Sequence, residues 1–353
     1  MTLRRARLIV NPSSGRELAA EHAGHITAVL RQHYDIEVVT TEGDGDAERA
    51  GQSAAETGCG TIFVAGGDGT VNEVVNGVAA AGALARVRFG IIPLGTGNDF
   101  AAGLGLPADV QEALQVLLED RELRVDLGSV NGRVFLNTSG GGYIAEVSLA
   151  VTPQLKTIAG RLAYLIGGAQ ALWEYEPVRA TVSAEPGGER LGLRLYAFAV
   201  CNSRLIGGGR LIAPYAVIDD GLLDVCLIEA MSAVEFVALA RKVADGDHVD
   251  DPRVRYLQAE SVVIDLEPEA WINTDGEVLR ARRCEYAVRP RAATFLAGDA
   301  PFAAAAGNRK AGGVAQPFSR PLKNVRPAWK MENGKWQSPQ NSGVFPSSIY
   351  HFP

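Results

Sequence analysis

The chain has 353 residues, 47% of them hydrophobic and 21% charged, so we expect packed globular cores and two domains. Its net charge of −7 implies no general attraction to nucleic acid, and no nucleic-acid partner is expected. No apolar run approaches about 20 residues, the N-terminus lacks a signal peptide, and the four cysteines form no Cys-x-x-Cys pair. These features predict a cytoplasmic protein that has neither a membrane span nor a zinc site.

Strands and helices alternate through the first 100 residues. Short apolar runs predict strands at residues 6–10, 36–40, 61–65 and 89–93. The segments between them predict helices at residues 17–33, 47–57 and 71–81. This alternation is typical of a three-layer, Rossmann-like α/β domain, in which a parallel sheet has helices on both faces. Ligands bind such sheets at the carboxyl ends of the strands.

The pattern changes near residue 124, where short runs separated by Gly, Pro and Asp turns predict a mainly antiparallel β-sandwich. The predicted strands are residues 125–130, 134–138, 180–183, 194–202, 223–228, 261–266 and 283–288. Helices at residues 154–174 and 233–244 interrupt them. We therefore predict an α/β domain over residues 1–127, a β-sandwich domain over residues 128–297, and a cleft between them.

The last segment, residues 298–353, differs from both domains. It is rich in Pro, Gly, Ser and Asn and shows no periodicity. From residue 301 onward it holds seven Lys or Arg and one Glu, a surplus of +6. Because the whole chain carries −7, residues 1–300 carry −13. We predict that this basic tail is disordered or an artificial extension.

The turn Gly66-Gly67-Asp68-Gly69-Thr70 follows a predicted strand and precedes a predicted helix. Glycines allow backbone N–H groups to curl around a phosphate, and a helix N-terminus favours an anion. A carboxylate would repel phosphate, so Asp68 is better suited to hold Mg²⁺ beside the phosphates, directly or through water. The alternative is a tight turn in which Asp68 only caps a helix.

Two other turns have the same setting. Asn11-Pro12-Ser13-Ser14-Gly15 follows the first strand, and Gly95-Thr96-Gly97-Asn98-Asp99-Phe100 follows the fourth. Ser and Asn in the first turn are also common helix caps, so binding and capping both stay open there. In the second, Thr96 can bond a phosphate and Asp99 can act with Asp68. We expect all three turns to lie at one edge of the sheet.

The second half contains two acidic turns. Asp275-Gly276-Glu277 is either a hairpin tip or the source of a carboxylate that deprotonates a substrate hydroxyl. Asp219-Asp220-Gly221 is either an ordinary turn or an ion site.

Together these motifs resemble the diacylglycerol kinase catalytic domain family, the bacterial lipid kinases related to sphingosine kinases within the NAD kinase-like superfamily. The resemblance covers about residues 4–297. It depends on five motifs in the family's order: the three turns above, the run from Gly207-Gly208-Gly209 to Asp219-Asp220-Gly221-Leu222-Leu223-Asp224, and Asp275-Gly276-Glu277.

The resemblance implies a role for each motif. Asp275 or Glu277 would be the general base, with Asp68 and Asp99 as the other catalytic residues. Asp68, Asp99 and Asp126 would organise the catalytic Mg²⁺. The implied ATP-binding residues are Asn11, Pro12, Ser13, Ser14, Gly15, Thr41, Gly66, Gly67, Asp68, Gly69, Thr70, Val71, Asn72, Glu73 and Thr96.

Two further features follow from the resemblance. A second, structural Mg²⁺ would lie at Asp220 and the carbonyl of Leu222. Its third ligand would be the carbonyl of Val217, whose side chain cannot coordinate a metal. A helical cover over the lipid's acyl chains would correspond to residues 154–173, although these apolar residues are equally compatible with an ordinary core.

The expected function is transfer of the ATP γ-phosphoryl group to a hydroxyl of diacylglycerol or a similar lipid. The expected cofactors are ATP and Mg²⁺, and the lipid would be met through transient, peripheral contact with a membrane; a homodimer is compatible with this function. An NAD kinase-type phosphotransferase is one alternative, although the Gly95–Phe100 turn and the Asp275 hairpin fit lipid kinases better. A catalytically silent lipid- or nucleotide-binding protein is another, but all five acidic positions are present: Asp68, Asp99, Asp126, Asp275 and Glu277.

Overall fold

A computed structural model describes residues 3–15, 18–150, 175–187, 190–300, 302–303, 330–332 and 335–337. The helix predicted at residues 154–174, with its acyl-chain cover at 154–173, lies outside the described residues, as does most of the predicted tail. Within the described part, no helix is both long enough and apolar enough to cross a membrane. The four cysteines are all free and buried.

The first domain contains the predicted parallel sheet. Four strands pair in the order β2-β1-β3-β4, and all three pairings are parallel. Their carboxyl ends therefore lie at one edge. The strands are β1 (Arg4–Val10), β2 (Tyr34–Thr40), β3 (Thr61–Gly66) and β4 (Arg88–Pro93).

Helices connect these strands. The seven elements predicted between residues 6 and 93 are all present, and their bounds differ from prediction by at most three residues. The helices are α1 (Leu18–Leu30), α2 (Asp46–Glu56), α3 (Asp68–Ala80), α4 (Asp99–Gly103) and α5 (Val110–Leu118), with a 3₁₀ turn at Leu84–Arg86.

The second half is β-rich, and among its described residues all strand pairings are antiparallel except that of β15 (Glu277–Leu296) with β4. It also holds α6 (Tyr143–Ala150), which we did not predict, α7 (Ala233–Lys242), and a 3₁₀ turn at Asp247–Asp250. Its strands are β5 (Glu122–Val130), β6 (Arg133–Phe135), β7 (Thr138–Gly142), β8 (Val178–Glu185), β9 (Arg190–Cys201), β10 (Leu205–Ile206), β11 (Arg210–Leu211), β12 (Leu223–Glu229), β13 (Val254–Ala259), β14 (Ser261–Thr274) and β15 (Glu277–Leu296).

Three strand predictions were clearly wrong in their bounds. The strand predicted at residues 283–288 runs from Glu277 to Leu296 as β15. The strand predicted at residues 134–138 is interrupted between β6 and β7, because a carboxylate takes the N–H groups of Leu136 and Asn137. The strand predicted at 261–266 continues to Thr274 as β14. Pro268 lies in the middle of β14 and has no N–H to donate. The pairing of β14 with β15 is irregular between Asp265 and Ala270, so no hydrogen bond from residue 268 is required there.

Strand β15 joins the two halves. It pairs with β14 and β5, and its last residues pair in parallel with β4, so 13 strands form one sheet. The predicted boundary after residue 127 lies inside β5. Phe295 stacks on Phe89 in the first core, with ring centroids 5.1 Å apart. The end of β15 therefore belongs physically to the first domain.

The described residues just after β15 also pack against the first domain. Phe302 is fully buried there, and the N–H of Ile218 donates to its carbonyl oxygen at 2.9 Å. The folded body thus continues past residue 298, where we predicted the tail to begin, because an apolar side chain occupies the core. Farther along, β16 (Lys330–Glu332) and β17 (Lys335–Gln337) form an antiparallel pair.

Helices α2 and α3 approach closely through two glycines. A Cβ placed on Gly77 would lie 2.0 Å from the carbonyl oxygen of Glu48, and one on Gly51 would lie 2.5 Å from that of Val74. Both obstacles are backbone atoms, so only displacement of a helix could relieve the contact. This packing fixes the start of α3, which is part of the site described below.

We predict that Gly77→Ala lowers the free energy of unfolding by about 1–3 kcal/mol because it overpacks this contact. The matched control is Gly24→Ala in α1, where an added Cβ meets nothing within 4 Å. This control should be neutral or stabilising by up to about 1 kcal/mol. Denaturant unfolding of both variants tests the prediction, and equal effects would contradict it.

Candidate active site

The turns after β1, β3 and β4 touch one another at the carboxyl edge of the parallel sheet. The Nδ2 of Asn11 donates to Oγ1 of Thr70 at 2.9 Å. A Cβ on Gly95 would lie 2.5 Å from the Cα of Gly67, so only glycines allow the second and third turns to meet. The structure therefore brings the three predicted turns together.

Asp68 links two of these turns. Its carboxylate accepts hydrogen bonds from the backbone N–H groups of Asp99 and Phe100, both at 3.2 Å, at the start of α4. Asn137 also donates to it, at 3.4 Å. Burial raises the pKa of Asp68, although these hydrogen bonds oppose the rise. Asp68 does cap a helix, but the helix is α4 rather than the one it begins.

Asp99 is held by a glycine turn from the second half of the chain. The N–H groups of Gly208 and Gly209 donate to its two carboxylate oxygens at 3.0 and 2.8 Å. Both glycines lie in the hairpin between β10 and β11 and have positive φ angles. Burial and the neighbouring Asp68 raise the pKa of Asp99 to about 6. Two carboxylates therefore lie close together in a poorly solvated place.

Asp275, at the β14–β15 tip, has a saturated carboxylate. The N–H groups of Leu136, Asn137 and Thr138 donate to it at 2.6, 3.1 and 2.9 Å, and Asn72 donates through Nδ2 at 3.0 Å. A carboxylate has about four lone-pair sites, so these donors occupy it. Burial raises the pKa of Asp275 to about 6 despite the hydrogen bonds.

Asn72 differs from its predicted role as an ATP ligand. It is only 2% exposed, and its side chain bridges Asp275 and the carbonyl oxygen of Val134. Asn76 accepts from the N–H of Val134 and donates to Asn72. The pair therefore fastens α3 to the second half of the chain, which a strand-and-helix pattern could not indicate.

The other predicted nucleotide residues divide by exposure. Thr41, Gly66, Thr70 and Val71 are buried, and Val71 packs in the hydrophobic core. Partly buried are Asn11, Pro12, Ser14, Gly15, Gly67, Asp68 and Glu73, whereas Ser13, Gly69 and Thr96 are exposed. The buried residues can shape the turns, whereas the second and third groups can meet a ligand, the glycines among them through the backbone alone.

Glu277 lies two residues after Asp275 but has different contacts. Its Oε1 accepts a hydrogen bond from Nη2 of Arg133, which also pairs with Glu48 at 2.9 Å. Its Oε2 has no hydrogen-bond partner among the described residues. One carboxylate oxygen of Glu277 is therefore available for a ligand.

Asp126 lies with the second acidic turn. It is fully buried and accepts from the N–H groups of Gly221 and Arg291, both at 2.6 Å. Burial and Asp224 raise the pKa of Asp220 to about 8, and Asp126 contributes to the rise. These contacts group Asp126 with Asp220, whereas the resemblance grouped it with Asp68 and Asp99. Within the described ranges, no three His, Cys, Asp or Glu side chains are already arranged to hold a metal.

Two family models match the chain in series. Residues 5–130 match the diacylglycerol kinase catalytic domain, and residues 139–297 match the YegS C-terminal NAD kinase beta sandwich-like domain. The chain belongs to the diacylglycerol kinase catalytic domain family. The sequence resemblance noted above is thereby confirmed.

Relatives of this family member match most of its length. The diacylglycerol kinase of Bacillus subtilis (strain 168) is 35% identical over 277 residues, which is 78% of this chain and 90% of the relative. That of Staphylococcus haemolyticus (strain JCSC1435) is 35% identical over 276 residues, 77% and 82% of the two chains. A solved structure of a diacylglycerol kinase from Bacillus anthracis str. Sterne has a TM-score of 0.66 and 25% identity, covering 85% and 99% of the two chains.

Several residues of this family member's site escaped the sequence analysis. Arg133, Glu48 and Asn137 carry no motif and come from separate elements. Gly208 and Gly209 were noticed only as part of a family motif, and nothing in the sequence indicated that their N–H groups bind Asp99. Three glycines in a row were a usable signal, because repeated positive φ angles suit a tip whose N–H groups converge on an anion.

We predict that Asp275→Asn destabilises the fold by about 2–4 kcal/mol. The amide nitrogen of the new asparagine would face backbone N–H donors, which cannot accept a hydrogen bond. Buried hydrogen bonds between the two halves of the chain would therefore be lost. Denaturant unfolding measures the change. Glu277→Gln, at a side chain that is 40% exposed, is the control and should cost at most about 1 kcal/mol. A smaller loss for Asp275→Asn than for the control would contradict the assignment.

Proposed function

We propose that this chain is an ATP-dependent lipid kinase that transfers the γ-phosphoryl group to a hydroxyl of diacylglycerol or a similar lipid. The observation that carries the proposal is the meeting of three glycine-rich turns with Asp68, Asp99 and the Asp275 hairpin. The family and the names of its relatives support this choice of reaction.

The three turns suit a nucleotide. Helix α3 begins at Asp68, and its N-terminus with the adjacent glycine N–H groups favours phosphate. Gly69 and Thr96 are exposed beside it. Helix α2 packs on α3, and α1 packs on α5. Two such helix pairs flanking the parallel sheet support a three-layer, Rossmann-like domain.

Asp68 and Asp99 suit Mg²⁺. Burial raises the pKa values of both carboxyl groups, and the nearby Asp68 raises that of Asp99 further. A divalent cation would balance the two negative charges. When bound, Mg²⁺ would neutralise charge on the phosphates. A second Mg²⁺ would be held by Asp220 and the carbonyl of Leu222, with the carbonyl of Val217, where the pKa of Asp220 is raised by burial and by Asp224.

Glu277 suits the general base better than Asp275. A base needs a free lone pair toward the hydroxyl, and the donors to Asp275 occupy its oxygens. Glu277 has a free Oε2. The lipid oxygen would form a bond to the γ-phosphorus while the bond from that phosphorus to the ADP oxygen breaks. The hydroxyl proton would go to Glu277, and ADP would leave with its electron pair.

The lipid would be met at a membrane surface. Residues 154–173, which we propose as the acyl-chain cover, lie outside the described residues. Transient membrane contact is part of the proposal, since the acceptor is a lipid. An NAD kinase-type phosphotransferase is the competing function, because the model matching residues 139–297 carries that name.

We predict that Glu277→Gln lowers kcat by about 10²–10⁴-fold while ATP affinity and unfolding stay near wild type. The assay measures transfer from labelled ATP to diacylglycerol in mixed micelles, with NAD as a parallel acceptor. Phosphorylated NAD with no phosphorylated lipid would overturn the lipid assignment. ATP binding without transfer to either acceptor would indicate a silent binding protein.

We predict that Asp68→Asn lowers turnover by at least about 10²-fold and raises the Mg²⁺ concentration needed for half-maximal activity. The asparagine keeps an acceptor oxygen for the start of α4, so the fold should persist. Asp35→Asn, an exposed position at the opposite end of β2, is the control and should change neither quantity. Near-normal turnover with Asp68→Asn would remove Asp68 from the mechanism.

A further inference from the structure

Arg133 lies where three elements meet. It begins β6, and its Nη2 donates both to Glu277 at the start of β15 and to Glu48 on α2, the latter at 2.9 Å. Its Nη1 reaches the other oxygen of Glu48 at 3.5 Å. One nitrogen is thus shared by two carboxylates from different parts of the fold.

The three side chains that form this contact are partly buried. The side chains of Arg133, Glu48 and Glu277 are 29%, 33% and 40% exposed. The Nε of Arg133 is buried without a hydrogen-bond partner, so the guanidinium is directed by its Nη atoms alone. Burial opposes the charged guanidinium, but hydrogen bonds to Glu277 and Glu48 outweigh it and raise the pKa of Arg133.

Several carboxylates lie near Glu277 in the part of the chain that the structure describes. Glu48 faces it from α2, Glu73 from α3, and Asp275 lies on the same hairpin. Burial and then Glu277 raise the pKa of Glu73, and Asp44, in the loop before α2, and Glu48 add to the rise. Arg133 is the cation that the described contacts place among these carboxylates. Like charges repel, so the arrangement of Glu277 depends on this one cation.

We propose that Arg133 is a positioning residue for the general base: it holds Oε1 of Glu277, turns Oε2 toward the acceptor hydroxyl, and is shared in competition with Glu48. The proposal rests on the function proposed above, in which Glu277 accepts the proton. Glu48 follows the loop that contains Thr41, so the same contact joins the nucleotide side of the site to the base.

Different effects follow for the two partners of Arg133. Removing the cation leaves Glu277 among carboxylates, so its Oε2 would lose its orientation. Removing the charge of Glu48 leaves the guanidinium undivided, so its contact with Glu277 would persist. A purely structural role for Arg133 would lower the unfolding midpoint and the rate together, and a shorter cation would not restore the rate.

The test measures kcat and KM for the full chain with ATP and diacylglycerol micelles. Arg133→Met should lower kcat by about 10–100-fold with KM for ATP within about twofold. Arg133→Lys should restore part of the rate. Glu48→Gln should lower kcat less than Arg133→Met does. A loss that appears in KM and not in kcat, or no recovery with Arg133→Lys, would overturn the proposal.

Arg88 provides a matched control. Its Nη1 is likewise shared by two carboxylates, Asp120 at 2.6 Å and Glu122 at 3.0 Å, but it lies at the amino end of β4, away from the site. Arg88→Met should lower the unfolding midpoint without lowering kcat. A fall in kcat equal to that of Arg133→Met would mean that the rate reports stability, which would overturn the proposal.

The double variant separates this proposal from the proposed function. If Arg133 acts through Glu277, Arg133→Met should lower kcat no further in a Glu277→Gln background. Additive losses would overturn the role of Arg133, whereas full activity of Glu277→Gln alone would overturn the choice of base. If wild type phosphorylates no lipid, the unfolding midpoints of the same variants still report on the contact. Their additivity would then exclude an Arg133–Glu277 interaction.

Discussion

The carboxylate of Asp275 accepts hydrogen bonds from three consecutive backbone N–H groups, of Leu136, Asn137 and Thr138, and from Asn72 in the other half of the chain. These bonds interrupt a strand, fix a hairpin tip and fasten α3 to the β-rich half. The rest of the site depends on them, because Asn137 also reaches Asp68 and Glu277 follows two residues later. A single carboxylate thus aligns the three turns at the sheet edge with the proposed base.

Other buried carboxylates also accept hydrogen bonds from backbone N–H groups. Asp68 holds the start of α4, Asp99 holds the glycine hairpin before β11, and Asp126 holds the N–H groups of Gly221 and Arg291. Each carboxylate joins segments that are distant in sequence by accepting backbone N–H groups. Burial raises the pKa of each, because the ionised carboxylate is poorly solvated there. Carboxylate oxygens are also the ligands that divalent cations such as Mg²⁺ prefer, which is consistent with the proposed function.

Glu277 is the exception, and the difference suits its proposed role. Its partner is a side chain, Arg133, rather than the backbone, and one oxygen stays free. A side-chain contact can be shared with Glu48 and can respond to what binds nearby, whereas a set of backbone donors cannot. The two acidic residues of the Asp275-Gly276-Glu277 turn therefore divide two tasks, since Asp275 builds the site and Glu277 is available for chemistry.

The parallel sheet, the three turns at one edge and the family could all be read from the amino-acid sequence. Hydrophobic periodicity and the placement of glycines are local signals, and the carboxyl ends of parallel strands necessarily lie at one edge. The sequence also placed Asp275 and Glu277 in one hairpin but left the choice of base open. Three contacts appear only in the folded chain. Asn72 supports Asp275, Asp126 accepts from Gly221 in the turn that contains Asp220, and Arg133 pairs with Glu277. Those contacts depend on which N–H groups and charges come within about 3 Å across large separations in sequence, and no local pattern encodes that distance.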